Sequence, residues 1–164
     1  MKIQKTNVAR LLDKAKVSYE LIPYEVDEND LAAQHVAEEL GEDLHQVFKT
    51  IVLHGDKTGY LVCVLPGNCE VNLKKAAKVS GNKKVETIPM KELLPVTGYI
   101  RGGCSPIGMK KHFPTYFHTT ALQFDHIYVS AGQRGLQIKI APADLIRESR
   151  GEVADIAGET EENQ

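Results

Sequence analysis

Residues 47–65, VFKTIVLHGDKTGYLVCVL, contain two apolar runs on either side of a polar turn. The runs are Val47–Leu53 and Tyr60–Leu65, and the six residues between them, His54–Gly59, include two glycines. Apolar runs that flank a glycine-containing turn are typical of a β-hairpin. We therefore predict a hairpin at this position, with the rest of the fold assembled around it.

Helices and strands alternate irregularly on both sides of this hairpin. Apolar residues at spacings of three and four predict helices, and alternation of apolar with polar residues predicts strands. The predicted helices are Thr6–Lys16, one capped by Asp30 and ended by Gly41, Leu73–Ser80 capped by Asn72, one near Pro89–Leu94 with Pro89 in its first turn, and Pro142–Ser149. The predicted strands are Val17–Ile22 stopped by Pro23, Lys84–Thr87, Thr115–Thr119, Ile127–Ser130 and Leu136–Ile140, with a turn at 131–135. This order predicts an α+β fold with one strongly curved, barrel-like mixed sheet flanked by helices.

The length and composition are those of one globular domain. The chain has 164 residues, of which 42% are hydrophobic and 26% are charged. No apolar run approaches the roughly 18 residues of a membrane span, and no apolar stretch follows the first charges as in a signal peptide. We expect a soluble, cytoplasmic protein without membrane contact. We expect one domain over residues 1–156 and an acidic, disordered tail over residues 157–164.

The cysteines and histidines show no metal-binding pattern. Three cysteines are an odd number without a framework spacing, and neither a CxxC pair nor an HExxH motif occurs. The six histidines are scattered along the chain. We therefore expect neither a metal site nor a cofactor.

The charge is unevenly distributed. Residues 71–111 hold nine basic and two acidic side chains, a net charge of +7, whereas the rest of the chain carries −9. A basic segment of this kind suits a polyanion, because Lys and Arg contacts to phosphates release condensed counterions. A helix that simply turns its lysines toward water is the alternative.

Four motifs occur in a fixed order along the chain. They are Phe48-Lys49-Thr50, the helix segment Asn72–Lys78, the loop Thr97–Gly108 (TGYIRGGCSPIG), and Ile127–Leu136 (IYVSAGQRGL). Together they closely resemble the YbaK/EbsC family of free-standing aminoacyl-tRNA deacylases, relatives of the editing domain of bacterial prolyl-tRNA synthetases. The resemblance extends from Leu11 to Ile156. It implies the family's fold and the removal of cysteine from Cys-tRNA(Pro), and also from Cys-tRNA(Cys), by cleavage of the aminoacyl ester.

Lys49 is the central candidate for catalysis. A lone lysine in an apolar strand is typical of an edge strand or of a side chain that reaches out to water. If it points into a cleft instead, its ammonium can stabilise negative charge on the substrate carbonyl oxygen. The resemblance matches Lys49 to the family's essential lysine. Thr50 is a weaker candidate, because adjacent strand residues point to opposite faces.

Two glycine-containing turns supply the other candidates. Gly102 and Gly103 lack a Cβ, so a ligand can approach their N–H groups, which would bind the ribose or the oxyanion; a tight turn is the alternative. In the second turn Ser130 can hydrogen-bond the substrate, and Arg134 can contact phosphate or pair with Asp125. The predicted catalytic residues are Lys49, Gly102 and Gly103, and the predicted substrate-binding residues are Tyr24, Thr50, Ser130, Gly132 and Arg134.

Two positions near the amino terminus affect specificity. Tyr24 matches a pocket tyrosine of the family, although an aromatic residue at a strand end is also typical of a core. Where the family tends to place Phe-Gly ahead of the second helix, this chain has Ala32-Ala33. Loss of that aromatic wall would enlarge the pocket. A deacylase for another small amino acid, such as alanine, is therefore the second hypothesis.

No protein nucleophile is evident in the sequence. Cys104 and Ser105 have no His–Asp partner that the sequence places beside them. The resemblance implies substrate assistance instead: the thiol of the bound cysteine attacks its own carbonyl and expels the tRNA hydroxyl. It further implies that the tRNA acceptor end, and prolyl-tRNA synthetase, are partners. Basic residues predicted to guide the acceptor end are Lys74, Lys75, Lys78, Lys110 and Lys111. A non-catalytic tRNA-binding or regulatory module is the third hypothesis.

Overall fold

The hairpin around residues 47–65 is formed by the two longest strands. A computed structural model describes residues 4–158. In it β2 (Phe48–Gly55) and β3 (Gly59–Pro66) pair antiparallel over eight residue pairs. The other strands are β1 (Tyr19–Pro23), β4 (Val85–Thr87), β5 (Thr115–His118), β6 (Ile127–Gln133), β7 (Leu136–Ile140) and β8 (Glu152–Ala154). The helices are α1 (Asn7–Lys14), α2 (Ala33–Leu40), α3 (Leu73–Ser80), α4 (Met90–Thr97) and α5 (Pro142–Glu148).

The strands form two sheets. One has five strands in the order β4-β2-β3-β5-β8, with parallel pairing at β3–β5 and β5–β8. The other is antiparallel, in the order β1-β7-β6. A single parallel bridge between Val47 and Tyr128 links them. The mixed α+β prediction is confirmed, but the single curved sheet divides into two, and the described strands do not close into a barrel.

Strand β3 lies in the middle of the larger sheet, and both of its faces are buried. Val62 and Val64 belong to the main core, which includes α1 and the smaller sheet. Leu61 and Cys63 belong to a second core, which includes α3. A strand covered on both faces shows a continuous apolar run rather than alternation, which explains the sequence of β3.

Local signals set several element ends. Asn72 caps α3, its side chain accepting from the N–H of Lys75 at 3.0 Å, and Gly81 ends that helix at φ 77°. Such a left-handed residue after a helix is most easily occupied by glycine. Gly41 ends α2 in the same way at φ 69°. These predicted ends are confirmed.

Other predicted boundaries were wrong. Pro23 is the last residue of β1 rather than the residue after it. Asp30 does not cap α2: the N-cap is Ala32, and Asp30, two residues before it, accepts a hydrogen bond from the N–H of Ala32 at 3.4 Å. Pro89 is the N-cap of α4, before its first turn. Strand β6 continues to Gln133 through an irregular register after Ser130, so the turn is shorter than predicted. Strand β8 was not predicted.

The carboxyl-terminal segment packs against the domain as far as Gly158. Ile156 and Ala157 are buried, and Ala157 forms an antiparallel bridge with Val71. Gly158 N–H donates to the carbonyl of Glu70 at 2.7 Å. The rest of the predicted acidic tail, residues 159–164, lies outside the described residues. No helix between residues 4 and 158 has the length and apolar character needed to cross a membrane.

Candidate active site

A cleft of about 470 Å³ lies beside the amino-terminal half of β2. Strand β4 pairs with β2 only over Leu53–Gly55, so β4 does not cover the earlier part of that edge. The six consecutive residues from Val47 to Val52 line the cleft. Its other walls come from five parts of the fold, one of which is the loop of residues 97–108, called the glycine loop below. The lining residues are those at the start of α2 (Leu31, Ala32, Ala33, Val36), on the approach to α4 (Ile88, Pro89, Met90, Leu93), in the turn after β3 (Gly67, Glu70), in the glycine loop (Arg101, Gly102, Cys104) and in the smaller sheet (Ser130, Gln137).

Lys49 points its side chain into this cleft. Its Nζ donates to the carbonyl oxygen of Gly67 at 3.5 Å and lies 3.8 Å from Oε1 of Glu70. The Lys49 side chain is 24% exposed, whereas that of Glu70 is 82% exposed. An ion pair with so exposed a carboxylate is weak. The ammonium is therefore held at the cleft wall by long contacts and remains able to bind a substrate oxygen.

Thr50 also lines the cleft, although it is adjacent to Lys49 in the strand. Both residues line it because the cleft runs along the edge of β2 and touches side chains from both faces of the strand. The hydroxyl oxygen of Thr50 is buried and has no hydrogen-bond partner among the described residues. A buried polar atom without a partner is costly, and a bound substrate could supply the missing bond.

Ser130 and Gln137 face each other across β6 and β7 and line the same cleft. Ser130 Oγ accepts from the N–H of Gly132 at 3.1 Å, which leaves its hydroxyl hydrogen free to donate. Gln137 is 5% exposed, and its Oε1 has no partner within residues 4–158. Gln137 was not predicted from the sequence. A glutamine within the apolar strand LQIKI, directly opposite Ser130, was the signal that could have revealed it.

The two loop glycines differ in position. Gly102 lines the cleft at φ 84°, and its N–H donates no hydrogen bond within the described part of the chain. Gly103 lies outside the cleft, and its N–H donates to the carbonyl of Ile100 at 2.9 Å. A Cβ on Gly103 would lie 3.1 Å from Cα of Gln133. Gly103 thus lets the loop pack against the β6–β7 turn, and Gly102 carries the free donor. A role of Gly103 at the oxyanion stays a prediction.

Arg134 holds the glycine loop in place. Its Nε donates to the carbonyl oxygen of Arg101 at 2.8 Å, and its side chain packs against Gly102. Arg134 does not itself line the cleft, whereas Arg101 does. The alternative pairing of Arg134 with Asp125 is not formed in the described structure. Arg134 is thus a positioning residue for the loop, and Arg101 is the cation nearer to the cleft.

Two predicted substrate contacts lie elsewhere. Tyr24 packs with Val36, Ala37 and Tyr128 in a separate apolar cluster, so the core alternative is the one observed. Gly132, at φ 104°, faces α1 and Tyr99: a Cβ there would meet Val8 at 3.0 Å. Both residues were predicted from the family resemblance, and neither lines the cleft.

The predicted tRNA-binding lysines fall into separate groups. Lys74 and Lys78 are exposed on α3. Lys75 binds the carboxyl-terminal segment of the domain: its Nζ lies 2.9 Å from Oδ2 of Asp155 and donates to the carbonyl of Ala157 at 3.1 Å. Lys110 and Lys111 line a second cavity, described below.

The two candidate nucleophiles are unsuited to that role. Ser105 is fully buried and accepts from the N–H of Ile107 at 3.2 Å. Cys104 lines the cleft, but burial raises the pKa of its thiol to about 12. Because the thiolate is the reactive form, Cys104 is a poor nucleophile at neutral pH. The cleft therefore offers a cation, a free N–H and polar side chains.

The start of α2 forms the apolar wall. Ala32 and Ala33 line the cleft together with Leu31. Leu31 Cδ2 lies 3.4 Å from the position of a Cβ on Gly102, so it closes the gap to the glycine loop. A Cβ on Gly67 would overlap that of Ala33. The small residues at 33 and 67 therefore let α2 approach the turn after β3.

The fold and the cleft together define a class of protein: a small α+β domain with one cleft that is lined by a lysine, a glycine loop and buried polar side chains. The chain belongs to the aminoacyl-tRNA editing domain family, whose family model matches residues 27–148. The family predicted from the four motifs is thereby confirmed.

Individual relatives agree with this assignment. The chain is 52% identical over 153 residues, 93% of either chain, to a protein of Enterococcus faecalis (strain ATCC 700802 / V583) named "Putative Cys-tRNA(Pro)/Cys-tRNA(Cys) deacylase EbsC". Among solved structures, one described as "a putative trans-editing enzyme for prolyl tRNA synthetase" matches with a TM-score of 0.80 at 20% identity, covering 95% of this chain and 100% of that one. The "hypothetical protein APE2540" matches with a TM-score of 0.84 at 19% identity, covering 92% and 99%. These two structural likenesses support the fold.

Proposed function

We propose that this protein is a cytoplasmic aminoacyl-tRNA deacylase that removes cysteine from Cys-tRNA(Pro), and also from Cys-tRNA(Cys). The observation that carries the proposal is the convergence of the Lys49 ammonium, the free Gly102 N–H and the unpartnered oxygens of Thr50 and Gln137 on one cleft. The name of the Enterococcus faecalis relative supports the choice of substrate. A volume of about 470 Å³ suits a small aminoacyl ester with its ribose.

The cleft provides a partner for each polar group of such an ester. Lys49 and the Gly102 N–H would donate to the carbonyl oxygen, on which negative charge develops. Gln137 Oε1 and Thr50 Oγ1 would accept from the substrate α-ammonium, which relieves their buried, unpartnered state. The Ser130 hydroxyl would donate to a ribose oxygen.

Bond cleavage itself would use the substrate's own thiol. Its sulfur attacks the carbonyl carbon to form a four-membered cyclic thioester, the ester C–O bond breaks, and the thiol proton passes to the departing ribose oxygen. The protein contributes orientation and charge stabilisation, which together account for large rate accelerations. Serine and proline esters lack the thiol, so they would not react by this route.

A panel of mischarged tRNAs tests the proposal. Purified protein is incubated with tRNA(Pro) carrying cysteine, S-methylcysteine, alanine or proline, and release of each amino acid is followed over time. We expect release from the cysteine ester and none above background from the S-methylcysteine ester, because methylation removes the nucleophile. Equal release of cysteine and S-methylcysteine would refute thiol assistance.

A second candidate follows from Ala32 and Ala33, which line the cleft with small side chains. A pocket of this kind also admits alanine. Preferential release of alanine in the same panel would support an alanine-specific deacylase. Binding of all four tRNAs without any release would support a non-catalytic module.

Two partners belong to the proposal. Lys74 and Lys78 would contact tRNA, because an exposed basic helix suits a phosphate backbone. Prolyl-tRNA synthetase is the second partner that we propose.

A further inference from the structure

A second cavity, of about 370 Å³, lies at the other end of the glycine loop. Its walls are residues 106–113, part of α1, and the end of α5 at Glu148, Ser149 and Arg150. Cys104 lines the first cleft, and Pro106 lines the second cavity. Consecutive Cα atoms are about 3.8 Å apart, so the Cα atoms of these two lining residues lie at most about 8 Å apart, and the same short loop segment contributes to both walls.

The second cavity has an excess of positive charge. Lys110, Lys111 and Arg150 line it, and all three are exposed. None of them forms an ion pair with an acidic residue among residues 4–158. The single carboxylate in the wall, Glu148, accepts from Nε of Arg147 at 3.0 Å. Charges that are not neutralised within the protein favour an anionic ligand.

The wall of this cavity is built by specific contacts. His112 donates from Nε2 to the carbonyl oxygen of Ser149 at 3.2 Å, which ties the loop to the end of α5. The following N–H groups close that helix end: Arg150 donates to Arg147 at 3.1 Å and Gly151 to Ile146 at 2.9 Å. These bonds occupy the helix carbonyls that would otherwise repel an anion.

Arg150 adopts an unusual backbone conformation. It follows the C-cap of α5 at φ 54°, where glycine is the usual residue. A side chain with a Cβ in this left-handed region costs free energy. This conformation places the exposed Arg150 side chain in the wall of the second cavity, at the end of α5.

We propose that the second cavity binds backbone phosphates of the tRNA acceptor strand while the aminoacylated end occupies the first cleft. This inference rests on the proposed function, since it assigns the path of the same substrate. Phosphates follow one another closely along a strand, so a strand that ends in the cleft brings further phosphates to a cationic site beside it. Such contacts raise affinity for any sequence, because they touch the backbone rather than the bases.

Charge reversal tests the site. The double variant Lys111→Glu/Arg150→Glu is compared with Lys57→Glu/Lys83→Glu, which changes the net charge equally at exposed lysines that line neither cavity. Binding of an RNA acceptor hairpin that carries no amino acid is measured over a range of salt concentrations. We expect the first variant to lose affinity at least about tenfold and the salt dependence of log K to fall by about 2, one for each phosphate contact removed. We expect the control to change affinity less than about threefold.

A second variant separates binding from folding. Arg150→Gly removes the charge and places the preferred residue at a positive φ, so its stability should be equal to or above that of the wild type. We expect weaker hairpin binding and a higher KM for Cys-tRNA, with kcat unchanged. Binding by the charge-reversed pair that equals its control would overturn the proposal. Displacement of the hairpin by millimolar inorganic phosphate at constant ionic strength would overturn it too, since it would indicate a free-anion site. Hairpin binding requires no ester cleavage, so failure of the deacylase proposal is detected separately.

Discussion

Replacement of Lys49 by methionine isolates the contribution of one ammonium group. Methionine retains most of the aliphatic chain of lysine, so the packing along the edge of β2 is preserved while the charge is lost. The contacts of the ammonium within the protein are long, at 3.5 Å to Gly67 and 3.8 Å to an exposed glutamate. Their loss should therefore lower the free energy of unfolding by at most about 1 kcal/mol.

The effect on catalysis should be much larger. Removal of one donor from an oxyanion site lowers kcat by about 10²- to 10³-fold, or roughly 3–4 kcal/mol. The Gly102 N–H would remain in place, so some acceleration should survive. The contrast between a small loss of stability and a large loss of rate is what distinguishes a catalytic ammonium from a structural one.

Single-turnover deacylation of Cys-tRNA(Pro) measures the rate, and urea denaturation measures the stability. Lys57→Met is the matched control: it removes a lysine from the turn of the same hairpin, about 20 Å along β2 from Lys49, and should leave the rate unchanged. If Lys49→Met retains a rate within about threefold of the wild type, Lys49 is not the oxyanion donor. If instead the variant unfolds, its role is structural.

Two further predictions concern buried polar groups. Gln137→Met should leave the free energy of unfolding unchanged or raise it, because the substitution removes a buried acceptor that has no partner. It should raise KM for Cys-tRNA about three- to tenfold, because one hydrogen bond to the substrate is lost. Urea denaturation measures the first effect, and steady-state kinetics measures the second. Burial lowers the pKa of His118 below its ordinary value of 6.5, against the opposing effect of Asp155, and its Nδ1 accepts from the N–H of Ile156. The unfolded chain therefore binds the proton more readily, so stability should fall as the pH drops from about 7 to about 5, and His118→Gln should flatten that dependence.

Each of these predictions has a contradicting outcome. A loss of stability in Gln137→Met with unchanged KM would mean that Gln137 supports the fold rather than the substrate. The prediction for His118 is tested by urea denaturation at several pH values. If the pH dependence of stability is the same in the wild type and in His118→Gln, His118 is not its source.

The sequence by itself determined the local elements and the family. The hairpin around residues 47–65, the cap at Asn72 and the glycine helix ends at Gly41 and Gly81 depend on contacts between residues close in the chain. Four motifs in order were sufficient for the family. Strand β8 was not predicted because its residues fall in an acidic stretch after the last predicted helix, and its pairing partner, β5, lies far away in the chain.

Only the tertiary structure decided which residues share the cleft. Lys49, Gly102 and Gln137 converge there, whereas Tyr24, suggested by the family resemblance, packs against another apolar cluster, and the Gly103 N–H bonds to Ile100. The physical reason is that a motif fixes backbone conformation over a few residues, while the direction of each side chain in space depends on how the two sheets and α2 pack together. That packing is set by contacts between residues distant in the sequence, which no local pattern encodes.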